Sequence, residues 1–168
     1  MCRDEETCRA FFLLAHEILT AAGYGHYEIS NYAKPGRESR HNTLYWRNGY
    51  YIGLGAAAAG HVPGIRYTNK ADLQAYMTDL ENGRKPEEER EAIGPQLAMA
   101  EELMLAFRLA QGVHKAQFRE RWGADLWQVH GGALEKHLAA GLLVEDDARI
   151  SPTLAGWLTY DVWVPDFL

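Results

Sequence analysis

The stretch DEETCRAFFLLAHEILTAAGYGHYEIS, residues 4–30, decides the fold class that the sequence predicts. Its apolar residues recur at intervals of three and four positions, which is the stripe of a helix with one buried face. Three acidic residues near its start and Gly23 after it are typical of helix boundaries. Residues 24–30 then bring tyrosines and a branched isoleucine, which favour a strand. A helix followed at once by a strand predicts one step of an α/β layer.

The composition limits the classes of function. Of the 168 residues, 47% are hydrophobic and 24% are charged, which is typical of a globular protein, and the net charge of -6 argues against a nucleic-acid surface. The most apolar run, residues 50–60, is too short to span a membrane, and the acidic start does not resemble an export signal. Two cysteines, Cys2 and Cys8, are too few for a four-cysteine metal site. We therefore expect a cytoplasmic protein without a membrane span.

The rest of the chain predicts two further parts. Residues 31–49 are typical of a long loop, residues 50–59 of a small-residue strand and residues 71–82 of a short helix. Residues 84–94 contain Pro86 and four glutamates, which predicts a solvated linker. Residues 95–168 predict three helices, a two-stranded hairpin and a last helix, which is a winged-helix pattern. The predicted units are therefore 1–70, the helix and linker 71–94, and the domain 95–168.

The densest functional signal lies in residues 27–46. It consists of YEISNYAKPG (27–36) followed by HNTLYW (41–46). Ligands commonly bind where strands of an α/β layer end, neutral imidazole is a good iron ligand, and flat aromatic side chains suit a macrocycle or a nucleobase. A structural interpretation stands beside this one: Tyr45 and Trp46 anchor the loop to the core while His41 makes a hydrogen bond. The residue types alone leave both open.

An ordered set of motifs extends over residues 27–69. It comprises YEISN (27–31), PG (35–36), HNTLYW (41–46), GLG (53–55) and RYTN (66–69). In this order the motifs resemble the oxygen-independent coproporphyrinogen III oxidase-like radical SAM family, and within it the branch of HemW-type haem chaperones. The sequence that follows is similar to the C-terminal domain of that family. The resemblance implies the C-terminal part of such a protein: an α/β remnant of a partial (β/α) barrel followed by a mostly helical, winged-helix-like C-terminal domain.

The resemblance also implies a site. His41 is the expected haem ligand, through the haem iron, and Asn42, Tyr45 and Trp46 complete the haem loop. Gly55 and Ala59 are expected to be a remnant of the wall that contacts S-adenosylmethionine. The family binds a [4Fe-4S] cluster through a Cys-x-x-x-Cys-x-x-Cys motif, which this chain lacks. The cluster and S-adenosylmethionine are therefore expected only in the full-length parent, and this chain alone is expected to be inactive in radical chemistry.

The sequence departs from the family pattern at two places. Ser39 stands where the family commonly has a cysteine, and Ala58-Ala59-Gly60 stands where an Ala-His-Ser type sequence is frequent. Both departures concern residues beside the expected cofactor sites. They weaken the expectation of a cysteine or a second histidine in contact with a cofactor.

Three functions remain open from the sequence. The leading expectation is haem binding and trafficking by a HemW-like protein, because the true oxidases are not expected to keep the His-Asn-x-x-Tyr-Trp motif. The alternative is oxidation of coproporphyrinogen III by the parent protein in porphyrin biosynthesis. The third is a winged-helix interaction or DNA-binding module. Its expected recognition helix, residues 125–140, offers Lys136 against Asp125 and Glu135, which is poorly suited to phosphate contacts. We therefore expect a packing role for that domain and no nucleic-acid partner.

The expected partners follow from the same argument. They are haem or a porphyrin, the missing N-terminal half of the barrel, and a second copy of the chain if an open sheet edge drives self-association. A metal site formed by His26, His41 and His61 is a minor alternative. His130 and His137, seven positions apart on one predicted helix, are interpreted as packing or surface histidines.

Overall fold

The computed structural model of the chain describes residues 4–168. Its first part alternates short helices with short strands. These elements are α1 (Glu5–Ala21), β1 (Gly25–Glu28), β2 (Asn31–Ala33), α2 (Arg40–Trp46), β3 (Ala59–Val62), β4 (Ile65–Asn69), α3 (Leu73–Glu81) and β5 (Glu87–Ala92).

The helix and strand predicted at the start of the chain are both present. Asp4 caps α1, because its carboxylate accepts the Thr7 N–H at 2.7 Å, and Gly23 ends the turn after the helix with φ +77°. However, β1 pairs antiparallel with β2 rather than with a parallel neighbour. No residue of α1 is buried. One face of the helix contacts β1 through Phe12, while Phe11 and Ile18 are 62% and 57% exposed.

The strand predicted over residues 50–59 is wrong for most of its length. Only Tyr51 forms a bridge, with His61, and regular pairing begins at Ala59 in β3. The chain turns away at Gly55, where φ is +107°, and the Asn69 side-chain amide donates to the carbonyls of Gly53 and Gly55 at 3.1 and 3.0 Å. These bonds satisfy the backbone of a loop that has no strand partner of its own.

The acidic linker predicted over residues 84–94 is also wrong, because residues 87–92 form a strand. β5 pairs antiparallel with β4 and gives a sheet of order β3-β4-β5. Arg66 faces Glu91 across this pairing at 3.4 Å and also contacts Glu101 at 2.7 Å. The positive charge of Arg66 on β4 compensates part of the negative charge of β5, so an acidic segment can form the edge strand of this sheet.

The second part of the chain has its own sheet and the main core. Its elements are α4 (Pro95–Ala106), β6 (Val113–His114), α5 (Lys115–Trp122), α6 (Leu126–Ala139), β7 (Leu143–Glu145), β8 (Arg149–Pro152), α7 (Leu154–Leu158), α8 (Tyr160–Trp163) and a 3₁₀ turn (Val164–Phe167). The strands have the order β6-β8-β7. The predicted third helix is present with a kink at His130. The predicted last helix is divided into α7 and α8, and the 3₁₀ turn follows it. The core contains Leu103, Phe107, Phe118, Leu134 and Ile150, each fully buried.

The two parts are joined by backbone pairing as well as by side chains. The Ile29 N–H donates to the Arg108 carbonyl at 2.8 Å, and the Ala110 N–H donates to the Tyr27 carbonyl at 3.0 Å. Between them Glu28 bridges to Leu109 and is fully buried. The end of β1 is therefore continuous with the segment that follows α4.

The architecture is a mixture of helices and small sheets. All strand pairings within residues 4–168 are antiparallel, and these residues form no closed barrel. The α/β character expected from the first helix and strand is thus limited to the helix-to-strand step itself. None of the helices in the described range is long and apolar enough to cross a membrane.

Candidate functional site

The motif residues 41–46 lie on a helix and not on the predicted loop. Ser39 begins α2 as its cap: its hydroxyl accepts the Asn42 N–H at 3.2 Å, and its carbonyl accepts the Thr43 hydroxyl at 2.8 Å. Ser39, at the position where the family commonly has a cysteine, therefore caps the N-terminus of α2. The helix fixes the relative directions of the side chains that the motif contributes.

His41 and Tyr45 are four positions apart and share one side of α2. Their rings are nearly perpendicular, with centroids 4.7 Å apart. Tyr45 in turn contacts Tyr51 in a second perpendicular arrangement at 4.6 Å. Tyr51 is paired through its backbone to His61, whose Nδ1 lies 3.3 Å from the Gly49 carbonyl. A row of rings, His41–Tyr45–Tyr51–His61, thus connects the helix to β3.

The His41 end of this row is open, whereas the His61 end is closed. His41 is exposed, and within residues 4–168 its imidazole contacts the Tyr45 ring but makes no side-chain hydrogen bond, so the structural interpretation that gave it one is not met. His61 is 7% exposed. Nearby along the chain, Leu44, Tyr50 and Ile52 are exposed apolar side chains, with 41%, 50% and 70% of their surface accessible. An accessible imidazole beside apolar surface can accept a flat, apolar, metal-bearing ligand.

Trp46 lies on a different side of α2 and anchors it. The Arg108 guanidinium carbon is 4.3 Å from the Trp46 ring centroid, a cation–π contact with the second part of the chain. Trp46 Nε1 is buried without a hydrogen-bond partner in the described residues. Asn42 is half-buried, and its side chain makes no hydrogen bond in that range. The structure therefore brings His41 and Tyr45 together and gives Trp46 the anchoring role of the structural interpretation.

Some of the small residues in the segment expected to face S-adenosylmethionine are small because neighbouring atoms of the chain itself leave no room for a side chain. A Cβ at Gly53 would overlap the Ala59 carbonyl, and one at Gly60 would overlap the Tyr67 ring. Gly55 differs, because a Cβ there would meet nothing within 4 Å, while its N–H donates to the Tyr76 hydroxyl at 3.1 Å. Ala59 is exposed at the start of β3. Gly55 and Ala59 thus both face open space or solvent.

The three histidines considered as a metal site do not come together. No group of three or more His, Cys, Asp or Glu side chains in residues 4–168 has metal-binding geometry. His26 instead lies with His16, with 3.0 Å between their Nδ1 atoms, and stacks on Tyr32 at 4.0 Å. Burial lowers the pKa of His26 to about 4, and the neighbouring His16 contributes in the same direction. The sequence analysis missed this pair.

His137 and His130 occupy the second part of the chain, as predicted. His137 is 2% exposed and its Nε2 lies 2.8 Å from the Asp166 carboxylate. His130 contacts the Phe167 ring at 5.8 Å, and burial lowers its pKa. Both are packing residues of the second part of the chain.

The comparison with protein families matches the second part of the chain. A family model described as the HemN C-terminal domain matches residues 95–159. The heme chaperone HemW of Lactococcus lactis is 33% identical over 141 residues, which are 84% of this chain and 37% of that protein. HemW of Escherichia coli is 34% identical over 147 residues, and HemW of Mycobacterium tuberculosis (strain H37Rv) is 32% identical over 165 residues; they cover 84% and 98% of this chain.

A solved structure has the same fold over most of the chain. It is coproporphyrinogen III oxidase (HemN) from Escherichia coli, which is described as a radical SAM enzyme. The TM-score is 0.69 with 15% sequence identity, and the match covers 92% of this chain and 39% of HemN. The chain spans 37% to 40% of the length of the HemW relatives named above.

Proposed function

Because this chain belongs to the family of HemW haem chaperones and HemN, as a HemW-like C-terminal portion, we propose that it takes part in haem binding and trafficking through His41 on α2. The observation that carries the proposal is the accessible His41 imidazole, which has a neighbouring ring on one side and no hydrogen-bond partner in the described residues. The alternative is that the chain is a portion of a coproporphyrinogen oxidase, and the likeness of its fold to that of HemN supports this alternative. The sequence identity with HemN is 15%, however, whereas the identities with the HemW proteins are 32% to 34%. The identities favour the first.

The residues around His41 fit a haem group. An axial ligand to haem iron is a neutral nitrogen with an unobstructed lone pair, and an exposed imidazole meets that requirement. In this proposal His41 would hold the haem iron through that lone pair. Tyr45 restricts the His41 ring through their perpendicular contact, and Tyr51 restricts Tyr45 in the same way. Asn42 offers an uncommitted amide on the same helix, and Trp46 holds that helix against Arg108.

The proposal is tested by titrating haem into the chain and into His41→Ala while recording the Soret band. We expect a shifted band in the unsubstituted chain and its loss in His41→Ala. His130→Gln is the matched control, since His130 is remote from α2 along the chain and makes its ring contact with Phe167. Identical spectra for the unsubstituted chain and His41→Ala would remove His41 as a ligand.

The second part of the chain is proposed to be a winged-helix packing module. The order helix, strand, two helices and hairpin, from α4 to β8, supports that description. A DNA-binding role is disfavoured by α6, in which Lys136 pairs with Asp166 at 2.6 Å. A fixed cation already neutralised by a carboxylate adds little to phosphate binding.

The remaining proposals concern a longer parent protein. A [4Fe-4S] cluster and S-adenosylmethionine would be bound there, because the two cysteines of this sequence do not fit a cluster. Gly55 and Ala59 would line the S-adenosylmethionine wall. The N-terminal barrel half would cover exposed side chains such as Phe11, Ile18 and Ile52; in its absence the open edge would favour self-association. The cytoplasm is the proposed location.

A further inference from the structure

A cleft runs between α2 and the second part of the chain. It consists of two adjoining cavities of about 480 and 530 Å³, which share Arg47, Leu109 and Gln111 as lining residues. Arg40 lines one cavity, and Arg149 lines the other. Each cavity has a volume in the range that small-molecule sites occupy.

Three of the four arginines that line this cleft differ from most of the other arginines in their ion pairing. Arg66, Arg84, Arg90, Arg119 and Arg121 each pair with a carboxylate. Arg40, Arg47 and Arg149 make no ion pair within residues 4–168. Arg149 lies 3.3 Å from the side-chain oxygen of Gln111 and interacts at longer range with the Asp146 carboxylate. In a chain of net charge -6, three guanidinium groups without an ion pair along one cleft create a local positive region.

The acids that line the cleft do not cancel this region. Glu102 is occupied by Arg121, at 2.9 Å, and by the Trp122 indole N–H, also at 2.9 Å. Glu38 accepts the Gly36 N–H at 3.2 Å, and Glu120 is exposed. Two carboxylates therefore stand against three uncommitted arginines.

The donors in the cleft suit carboxylate groups better than phosphate. Phosphate sites rely on free backbone N–H groups, but the two glycines that line the cleft have used theirs: Gly36 donates to Glu38, and Gly112 donates to the Leu109 carbonyl at 2.9 Å. The planar guanidinium group offers two parallel hydrogen bonds to carboxylate and phosphate alike, so the lack of free N–H groups at these two glycines is what favours a carboxylate here. Apolar walls from Leu44 and Leu109 leave room for an apolar body that carries such groups.

We infer that the cleft between α2 and the second part of the chain binds a ligand with two or more carboxylate groups, through Arg40, Arg47 and Arg149. The carboxylates can belong to a small free polycarboxylate or to the side chains of a porphyrin. The inference goes beyond the proposed function, since it does not require an iron bond to His41. It adds a polar contact region next to the His41 side of the same helix.

The experiment compares metal-free mesoporphyrin IX with its dimethyl ester in one mild detergent, with quenching of tryptophan fluorescence as the readout. A metal-free porphyrin cannot be ligated by His41, so the result is independent of the haem titration. The diacid is expected to bind more tightly than the ester. Arg47→Gln is expected to weaken the diacid about tenfold, as for a lost charge-assisted hydrogen bond, and to leave the ester unchanged.

The matched control is Arg9→Gln, which removes the same charge from an exposed residue of α1 that lines neither cavity. Citrate is the second probe: binding of citrate that depends on Arg47 assigns the site to small polycarboxylates and also supports the inference. Arg149→Gln replaces Arg47→Gln if the latter does not fold. Equal affinities for diacid and ester without citrate binding, or equal effects of Arg47→Gln and Arg9→Gln, would overturn the inference.

Discussion

The rings of His41 and Tyr45 are perpendicular within 9°, with 81° between their planes and 4.7 Å between their centroids. This relationship exists because α2 places the two residues one turn apart. It means that the orientation of the proposed haem ligand depends on a neighbour that does not itself bind iron in the proposal. Tyr45 is therefore a positioning residue, and its contribution is separable from that of His41.

Replacing Tyr45 by leucine is expected to accelerate haem loss while keeping the shifted Soret band. Aromatic pairs contribute about 0.5–1.5 kcal/mol beyond their buried area, which corresponds to a rate increase of roughly twofold to tenfold. The rate is measured by transfer of haem to excess apomyoglobin. Leu73→Ala, at a leucine of α3 that is 62% exposed, is the control for general loss of apolar surface. A dissociation rate for Tyr45→Leu equal to that of the unsubstituted chain would show that the ring contact does not position His41.

The stability of the chain is expected to fall as the pH decreases from about 6.5 to about 4. His26 has a folded-state pKa lowered to about 4 because burial disfavours its charged form, whereas the ordinary pKa of a histidine is 6.5. Between these values the unfolded state binds more protons, so the free energy of unfolding rises with pH. His26 is partly solvated, and the expected loss is on the order of 1–2 kcal/mol.

The measurement is urea unfolding at several pH values for the unsubstituted chain and for His26→Phe. The phenylalanine keeps an aromatic ring against Tyr32 and Trp157 but does not titrate. We expect a flatter pH dependence in this variant over the same window. The same slope in both proteins would assign the acid sensitivity to another group.

Gly60→Ala is expected to destabilise the chain by about 1–3 kcal/mol, the range for overpacking. A Cβ at this buried position would overlap the Tyr67 ring, whose hydroxyl accepts the Gly53 N–H at 3.1 Å. The loop of residues 50–58 should therefore loosen as well, which hydrogen exchange detects. Gly94→Ala is the control, because a Cβ there meets nothing within 4 Å and its φ is -71°. Equal thermal unfolding of both variants would contradict the tight fit at Gly60.

The parts of the fold that the sequence predicts well are those with local signals. The periodic apolar residues and the cap of α1, and the Pro95 start of α4, depend on neighbours within one or two turns. Local patterns do not predict the strand β5, because the strand with which it pairs is distant in sequence: Arg66 lies 25 positions before Glu91. Without that partner, an acidic run is typical of a solvated linker.

The candidate site was predictable as a set of residues but not as a geometry. The motif identified His41, Tyr45 and Trp46, but α2 has only seven residues and begins at a serine cap rather than in an apolar repeat. The role of His61 at the closed end of the row depends on pairing between Tyr51 and β3, which no local pattern encodes. The arginine cleft likewise requires residues from both parts of the chain.

The backbone pairing of residues 27–29 with residues 108–110 has a consequence for dissecting the protein. In a shortened chain that stops at residue 94, the Ile29 N–H and the Tyr27 carbonyl would lose their hydrogen-bond partners. The side chain of Glu28, which is fully buried in the whole chain, would become exposed to water. If the chain were divided after β5, each piece would therefore contain unpaired backbone N–H and carbonyl groups. The contacts of α2 with the second part would be lost at the same time. The position of the helix that carries His41 thus depends on residues that follow β5 in the chain.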